Sequence, residues 1–195
     1  MKRIYVIIGK SASGKDTIAR RLLDDRELGL AGIVPYTTRP IREGEINGKD
    51  YFFTDQGKLD ALRERGKVIE SRTYQTVYGD WTYFTVDDGQ IDLSRRDSLT
   101  VGTLESYMSF CRYFGKERVL PIYIEVEDGE RLERALQRER KEKRPKYQEL
   151  CRRFLSDSRD FSDQKLKEAG IRERFVNENI DKTVSEIRKL IRQRT

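Results

Sequence analysis

The residues Gly9-Lys10-Ser11-Ala12-Ser13-Gly14-Lys15-Asp16 constrain this chain more than any other stretch. They follow the apolar run Ile4-Tyr5-Val6-Ile7-Ile8 and precede Thr17 to Leu23, where Ile18, Leu22 and Leu23 recur at helical spacing. Strand, glycine-rich loop and helix form the setting in which G-x-x-x-x-G-K cradles a phosphate. Gly9 and Gly14 allow backbone angles that larger residues resist. Successive N–H groups can therefore turn toward one anion, and the helix N-terminus adds partial positive charge. Lys15 contributes a point charge to the outer phosphates. The plainer reading is a tight strand-to-helix turn that happens to carry a lysine; the full spacing and the flanking elements favour the cradle. Asp16 stands where a Ser or Thr hydroxyl ordinarily meets Mg2+. A carboxylate is a hard-oxygen ligand for that ion, directly or through water, although its charge repels phosphate. Asp16 is thus the expected Mg2+ residue, in a rearranged site.

A chain of 195 residues, 36% hydrophobic, suits one compact unit with small insertions and is too short for two large domains. Its 40 Lys and Arg against 34 Asp and Glu leave a charge of +6, which suits a substrate bearing several phosphates. Nucleic acid would fit the charge, but no aromatic-interleaved basic run or nucleic-acid-binding signature supports it, so none is expected. There is no histidine, which excludes His-based acid/base catalysis, His activation of a nucleophile and His metal ligation. Chemistry must rest on Lys, Arg, carboxylates, hydroxyls or a metal. Cys111 and Cys151 fit no C-x-x-C spacing and read as buried packing residues of amphipathic helices, not as a disulfide. Met1-Lys2-Arg3 leads straight into a short strand with no long apolar stretch, so neither a signal peptide nor a membrane span is expected, and the cytoplasm is the expected compartment.

Leu28 to Gly32 reads as a connection and Ile33-Val34 as a short strand ended by Pro35. From Tyr36 to Phe53 periodicity is low and donors, turn residues and aromatics are dense, as in a binding loop or an exposed connector. Arg39 and Arg42 offer planar forks that clamp a phosphate bidentately, Thr37 and Thr38 add hydroxyls, and Tyr51 offers a phenol. Either arginine alone would read as a solvated surface residue.

Thr37-Thr38-Arg39-Pro40, followed by Arg42, Gly44-Glu45, Gly48 and Asp50-Tyr51-Phe52-Phe53, resembles the nucleotide-binding signature of the guanylate kinase family, T-T-R-x-x-R-x-G-E-x-x-G-x-D-Y-x-F. The resemblance implies an α/β fold with a P-loop NTPase-type parallel sheet flanked by helices. It implies a core of residues 1–34, 98–130 and 160–195, a monophosphate-binding subdomain over about 35–97 and a lid over about 131–159. ATP would lie on Gly9, Ser11, Ala12, Ser13, Gly14, Lys15, Asp16 and Thr17, with Mg2+ at Asp16. The phosphate of GMP would lie on Arg39, Arg42 and Tyr51, with Thr38 alongside.

Thr54 to Gly66 reads as a helix with Thr54 as N-cap, and Lys67 to Tyr74 and Trp81 to Val86 read as strands. The family presents a Glu and a Tyr-Gly pair here, matched by Glu70 and Tyr78-Gly79. A carboxylate can accept from both N1–H and the N2 amine of guanine, an arrangement adenine does not offer; the alternative for Glu70 is an ordinary solvent-facing strand residue. Two departures follow. Asp80 stands where the family has a Ser or Thr donating toward the guanine carbonyl, and an ionised Asp cannot donate, which leaves Thr82 as the substitute. The strand Leu99-Thr100-Val101-Gly102 lacks the Asp that the family usually places there.

Thr103 can cap a helix that Gly115 ends, and Val119 to Val126 reads as a strand whose Pro121 points to its start or to an edge position. From Asp128 the chain is intensely charged and reads as two helices broken near Pro145, most of the charges being solvated. In the family this region is the lid, whose arginines close over ATP. Arg138 and Arg153 are the best matches, with Arg134 and Arg152 close rivals. Phe175-Val176-Asn177 resembles the last core strand, after which Asn177 would lie near adenine; Asp181 would cap a final helix whose tail, Arg192 to Thr195, frays. The expected activity is transfer of phosphate from ATP to GMP, by a monomer or homodimer, with Lys15, Arg39, Arg138 and Arg153 catalytic. The alternatives are a related kinase for another nucleotide or a phosphorylated sugar, and a non-catalytic protein-binding module.

Overall fold

Ile4–Ile8 (β1) is buried at all five positions, as expected of a central parallel strand covered on both faces. The computed structural model describes residues 1–42, 44–76, 79–143 and 145–194. After β1 come Lys15–Leu23 (α1), Ala31–Gly32 (β2), Tyr36–Thr37 (β3), Phe52–Phe53 (β4), Gln56–Glu64 (α2), Val68–Thr76 (β5) and Gly79–Val86 (β6). The second half holds Ser98–Gly102 (β7), Leu104–Phe114 (α3), Val119–Glu125 (β8), Asp128–Glu139 (α4), Tyr147–Asp160 (α5), Asp163–Glu168 (α6), Arg174–Val176 (β9) and Ile180–Arg194 (α7).

A five-stranded parallel sheet runs in the order β2-β7-β1-β8-β9. Strand pleating sends alternate β1 side chains to opposite faces. Ile4, Val6 and Ile8 pack with Tyr107 and Phe110 of α3 and with Phe161 and Leu166. Tyr5 and Ile7 pack with Ile18 and Leu22 of α1 and with Ile187 and Ile191 of α7. Truncating one such fully buried residue, Leu22→Ala for instance, costs about 2–5 kcal/mol. Between β2 and β7 the chain leaves this sheet and builds a second one, of order β4-β3-β6-β5, with its own small core of Tyr36, Leu59, Phe84 and Val86. Among the described residues, no helix is long and apolar enough to cross a membrane.

Several local expectations shift. The short strand near Pro35 is Ala31–Gly32 rather than Ile33-Val34, although Ile33 N still donates to Leu99 O at 3.0 Å. Asp55, not Thr54, caps α2, its Oδ1 accepting from Lys58 N at 2.8 Å. Asn179, not Asp181, caps α7, its Oδ1 accepting from the N–H groups of Asp181 and Lys182 at 3.0 Å each, and the expected frayed tail is helical to Arg194. Pro121 lies inside β8, between β1 and β9. Glu125 O accepts from Asn177 N, so odd-numbered β8 residues turn their polar groups toward β9. Pairing with β9 begins only at Tyr123, so the missing N–H of Pro121 removes no ladder bond. Cys111 is half-buried and Cys151 is exposed on α5, so burial holds for neither in full; both are free thiols.

Candidate active site

The loop between β1 and α1 is held by close approaches that only glycine permits. A Cβ on Gly9 would lie 2.6 Å from Ile124 O of β8, and one on Gly14 would lie 2.5 Å from Asn177 Nδ2. Gly14 also adopts φ 87°, the left-handed region, at the N-cap of α1, and Ala12 follows it there with φ 62°. Ser13 is fully buried with Oγ turned toward Gly9, and that hydroxyl has no hydrogen-bond partner among the described residues. Asn177, expected near adenine, sits beneath the loop. It is 3% exposed, its Nδ2 donates to Ser13 O at 2.8 Å, and Thr183 Oγ1 donates to its Oδ1 at 3.4 Å.

Lys15 and Asp16 open α1, with Lys15 Nζ 3.6 Å from Asp16 Oδ2; Lys15 is largely shielded and Asp16 largely exposed. Thr17 follows half-buried in the same turn. Among the described residues no group of three or more Cys, Asp or Glu is placed to hold a metal ion. A single exposed carboxylate does fit Mg2+, which prefers one or two carboxylates supplemented by substrate phosphates and water.

The far side of the loop is gripped by the charged segment. Ser11 N donates to Asp157 Oδ2 of α5 at 2.7 Å, and Lys10 Nζ to Asp128 Oδ1 at 3.0 Å. Arg131 is 1% exposed; it donates to Ser11 O at 3.0 Å and to Asp128 Oδ1 at 2.9 Å, and lies 4.5 Å over the Phe154 ring. Burial pushes the Asp128 carboxyl up, but the bonds from Lys10 and Arg131 outweigh it and hold the group below the usual carboxylate range. Sequence reading left Arg131 among the solvated charges. Its signal was the i, i+3 pairing with Asp128 at a helix start.

A cavity of about 80 Å3 between α4 and α5 reaches Ser11 and is lined by Arg131, Arg138, Glu149, Arg153 and Phe154. Arg138 and Arg153 therefore meet in one space. Glu149 engages both Arg153, at 2.8 Å, and its rival Arg152, at 2.7 Å, while Arg134 is engaged by Glu130 at 2.9 Å and by Asn177 O at 3.3 Å. Hydrogen bonds from Arg152 and, against some burial, from Arg153 take the Glu149 carboxyl down to about 2.

On the second sheet, Arg39 is 3% exposed, although arginines are seldom buried without a partner. Its guanidinium forms a two-pronged pair with Glu45, one prong at 2.7 Å, donates to Pro40 O at 2.9 Å, and lies 5.1 Å from the Tyr51 ring and 5.3 Å from that of Phe53. The bond from Arg39 drives the Glu45 carboxyl down to about 2. Arg42 is exposed, and its N–H also reaches Glu45, at 2.8 Å. Thr38 Oγ1 accepts from Thr82 N at 2.9 Å, fixing the start of this loop on β6. Tyr51 meets Tyr83 edge-on at 5.7 Å. Burial raises its phenol pKa, and Asp16 adds to the rise, so the carboxylate at the head of α1 lies within electrostatic reach of this cluster.

Glu70 is 8% exposed. Thr85 Oγ1 donates to its Oε1 at 2.9 Å and Ser106 Oγ of α3 to its Oε2 at 3.3 Å, while Arg72 Nε stands 3.3 Å from Oε2. The solvent-facing alternative for Glu70 is thereby removed. Register pairs Glu70 with Thr85, Arg72 with Tyr83 and Gln75 with Asp80. Alternation along the strand then puts Glu70, Arg72 and Tyr83 on one face and Asp80 and Thr82 on the other. Thr82 Oγ1 shares a 2.9 Å hydrogen bond with Thr73 Oγ1 on that second face. Tyr78 lies outside the described residues.

A parallel sheet with a glycine loop at the head of α1, a buried arginine and carboxylate on an appended sheet, and two arginine-bearing helices over the loop together define an α/β protein built around a phosphate-cradling type of loop. The guanylate kinase family model matches residues 1–87. Over 77 residues, 39% of this chain, the sequence is 40% identical to the guanylate kinase of Rhodopseudomonas palustris (strain HaA2), and the matched segment spans 34% of that protein. It is 28% identical to the guanylate kinase of Wolbachia sp. subsp. Brugia malayi (strain TRS) over 191 residues, covering 96% of this chain and 91% of that one. The crystal structure of guanylate kinase from Anaplasma phagocytophilum superposes with a TM-score of 0.63 at 24% identity, covering 99% of this chain and 86% of that one, a likeness of fold. The chain is thus similar to guanylate kinases, through the family model over its first 87 residues and through relatives such as the Wolbachia protein over nearly its whole length.

Proposed function

We propose that this protein is a cytoplasmic P-loop guanylate kinase, transferring the γ-phosphoryl group of ATP to GMP or dGMP to give ADP and GDP or dGDP. The observation that carries this reading is the Arg39–Glu45 pair stacked on Tyr51, built on the same sheet as the buried Glu70. A buried guanidinium beside a phenol suits an acceptor phosphate, and a buried carboxylate suits the donor edge of guanine. The free cysteines agree with a reducing compartment.

Phosphoryl transfer asks the protein chiefly for in-line placement and compensation of charge on the equatorial oxygens. The loop from Gly9 to Thr17 holds the donor phosphates through its N–H groups and the buried Ser13 hydroxyl, with Lys15 on the outer phosphates. Arg39, Arg42 and Tyr51, with Thr38 fixing their loop, orient the acceptor phosphate. Arg138 and Arg153 bring positive charge from the lid helices, whose closure excludes water. Mg2+, held by Asp16 with phosphates and water, would neutralise charge on the transferring group. Asn177 acts on the loop's shape, through Ser13 O, rather than on adenine.

Lys15→Ala tests the reading. Turnover with ATP and GMP should fall by about 10²–10³-fold, while calorimetric affinities for both nucleotides change far less. Unchanged turnover would overturn the donor site. Ordinary binding with no turnover in the unmutated protein would instead support a non-catalytic module.

A further inference from the structure

Guanine presents three groups along one edge: the N2 amine and N1–H donate, and the C6 carbonyl accepts. Glu70 answers the two donors. Its Thr85 and Ser106 bonds use two of the roughly four lone-pair sites of a carboxylate and leave the rest for the base. The carbonyl needs a donor beside Glu70. Asp80 is exposed, cannot donate when ionised, and lies on the opposite face of the hairpin; the Thr82 hydroxyl lies on that face too, bonded to Thr73.

On the face of Glu70 itself, the next residue along β5 is Arg72. Its side chain is 23% exposed and Nε stands 3.3 Å from Glu70 Oε2. Among the described residues the buried Nε has no aligned acceptor, and the guanidinium makes no hydrogen bond to any of them. Arg72 is therefore a half-buried, always-charged fork whose Nη donors are uncommitted, set against the carboxylate that reads the neighbouring part of the base.

Resting on the guanylate kinase reading above, we propose that Arg72 is a specificity-determining residue that donates from its guanidinium to the C6 carbonyl of the acceptor base while neutralising Glu70. The pair then forms one recognition unit of two acceptors and a cation. Adenine, with an acceptor at N1 and an amine at C6, mismatches both halves, so rejection comes from Arg72 as well as from Glu70.

The test uses the full chain and three ligands: GMP, IMP, which keeps the carbonyl and N1–H but lacks the N2 amine, and 2-aminopurine riboside 5′-monophosphate, which keeps the amine but lacks the carbonyl. Dissociation constants by calorimetry, with kcat and KM where turnover occurs, are compared for the unmutated protein, Arg72→Ala and Arg72→Lys. Arg72→Ala should weaken GMP and IMP alike by roughly 10- to 100-fold, mainly in Kd and KM, and the 2-aminopurine ligand by no more than about twofold. Arg72→Lys, which keeps the charge and a donor, should recover part of the loss. IMP and the 2-aminopurine ligand each offer Glu70 one donor, so equal losses on those two would make Arg72 a mere support for Glu70 and overturn the proposal. Unchanged GMP binding in Arg72→Ala with a native thermal transition would overturn it as well. Failure of the underlying reading looks different: the unmutated protein itself would neither bind nor phosphorylate GMP, and both would fall together.

Discussion

Gly14 and Asn177 illustrate how single residues shape the donor loop. The left-handed φ of 87° at Gly14 and the 2.5 Å approach of the Asn177 amide leave no room for a side chain, and the same amide holds the Ser13 carbonyl. Asn177→Ala strands that carbonyl beneath the loop. Denaturant titration should show a loss of about 1–3 kcal/mol, accompanied by weaker ATP binding. Glu45 sets a pH signature. Its carboxyl lies at about 2 in the folded state against an ordinary 4.5, because Arg39 bonds to the charged form. A depressed carboxylate stabilises the fold fully above the unfolded value, and that contribution is lost as pH falls from about 4.5 toward 2. The stability difference between the unmutated protein and Glu45→Gln should therefore be flat above that window and shrink within it, and Glu45→Gln should raise KM for GMP more than it lowers kcat. The grouping of Arg39, Arg42 and Tyr51 on one loop was legible in the chain because donors and turn residues lie together within one short signature. Arg72 was not, because its meaning depends on which face of a hairpin it shares with Glu70, and register is a product of pairing.

Among the elements, β1, the glycine loop and α1 follow directly from the run of apolar residues and the glycine spacing. The α4 and α5 helices were legible as helices broken near Pro145, but not by what they hold. A run of arginines has no periodicity that separates the buried one from its neighbours; only packing against Phe154 and the loop singles out Arg131. Removing it would leave Asp157 partly buried without its cation and Asp128 with Lys10 alone, and would open a hole beside Phe154 and the loop. Arg131→Ala should accordingly destabilise by about 3–5 kcal/mol in chemical denaturation, whereas the exposed Arg159→Ala on α5 should stay within about 0.5 kcal/mol. The strand near Pro35 and the interior Pro121 were misplaced for a related reason. Each depends on where a neighbouring strand begins, which local propensity does not encode.

At the scale of the whole molecule, the second sheet grows out of the chain between β2 and β7, and the α4–α5 pair rests on the loop through Asp157 and Arg131. Under the proposed function, three groups of residues far apart in sequence would serve one reaction: the loop from Gly9, the Arg39–Tyr51 cluster with Glu70, and Arg138 with Arg153, which share a cavity reaching Ser11. A two-substrate phosphotransferase requires each substrate to be fixed from its own side. The central claim is that the acceptor is a guanine monophosphate. A coupled assay of ADP release, run with ATP and Mg2+ over GMP, dGMP, AMP, CMP, UMP and phosphorylated ribose, measures it directly. GMP and dGMP should be turned over, with kcat/KM for the others lower by at least about 10²-fold. Turnover of another acceptor with none of GMP or dGMP would contradict the account.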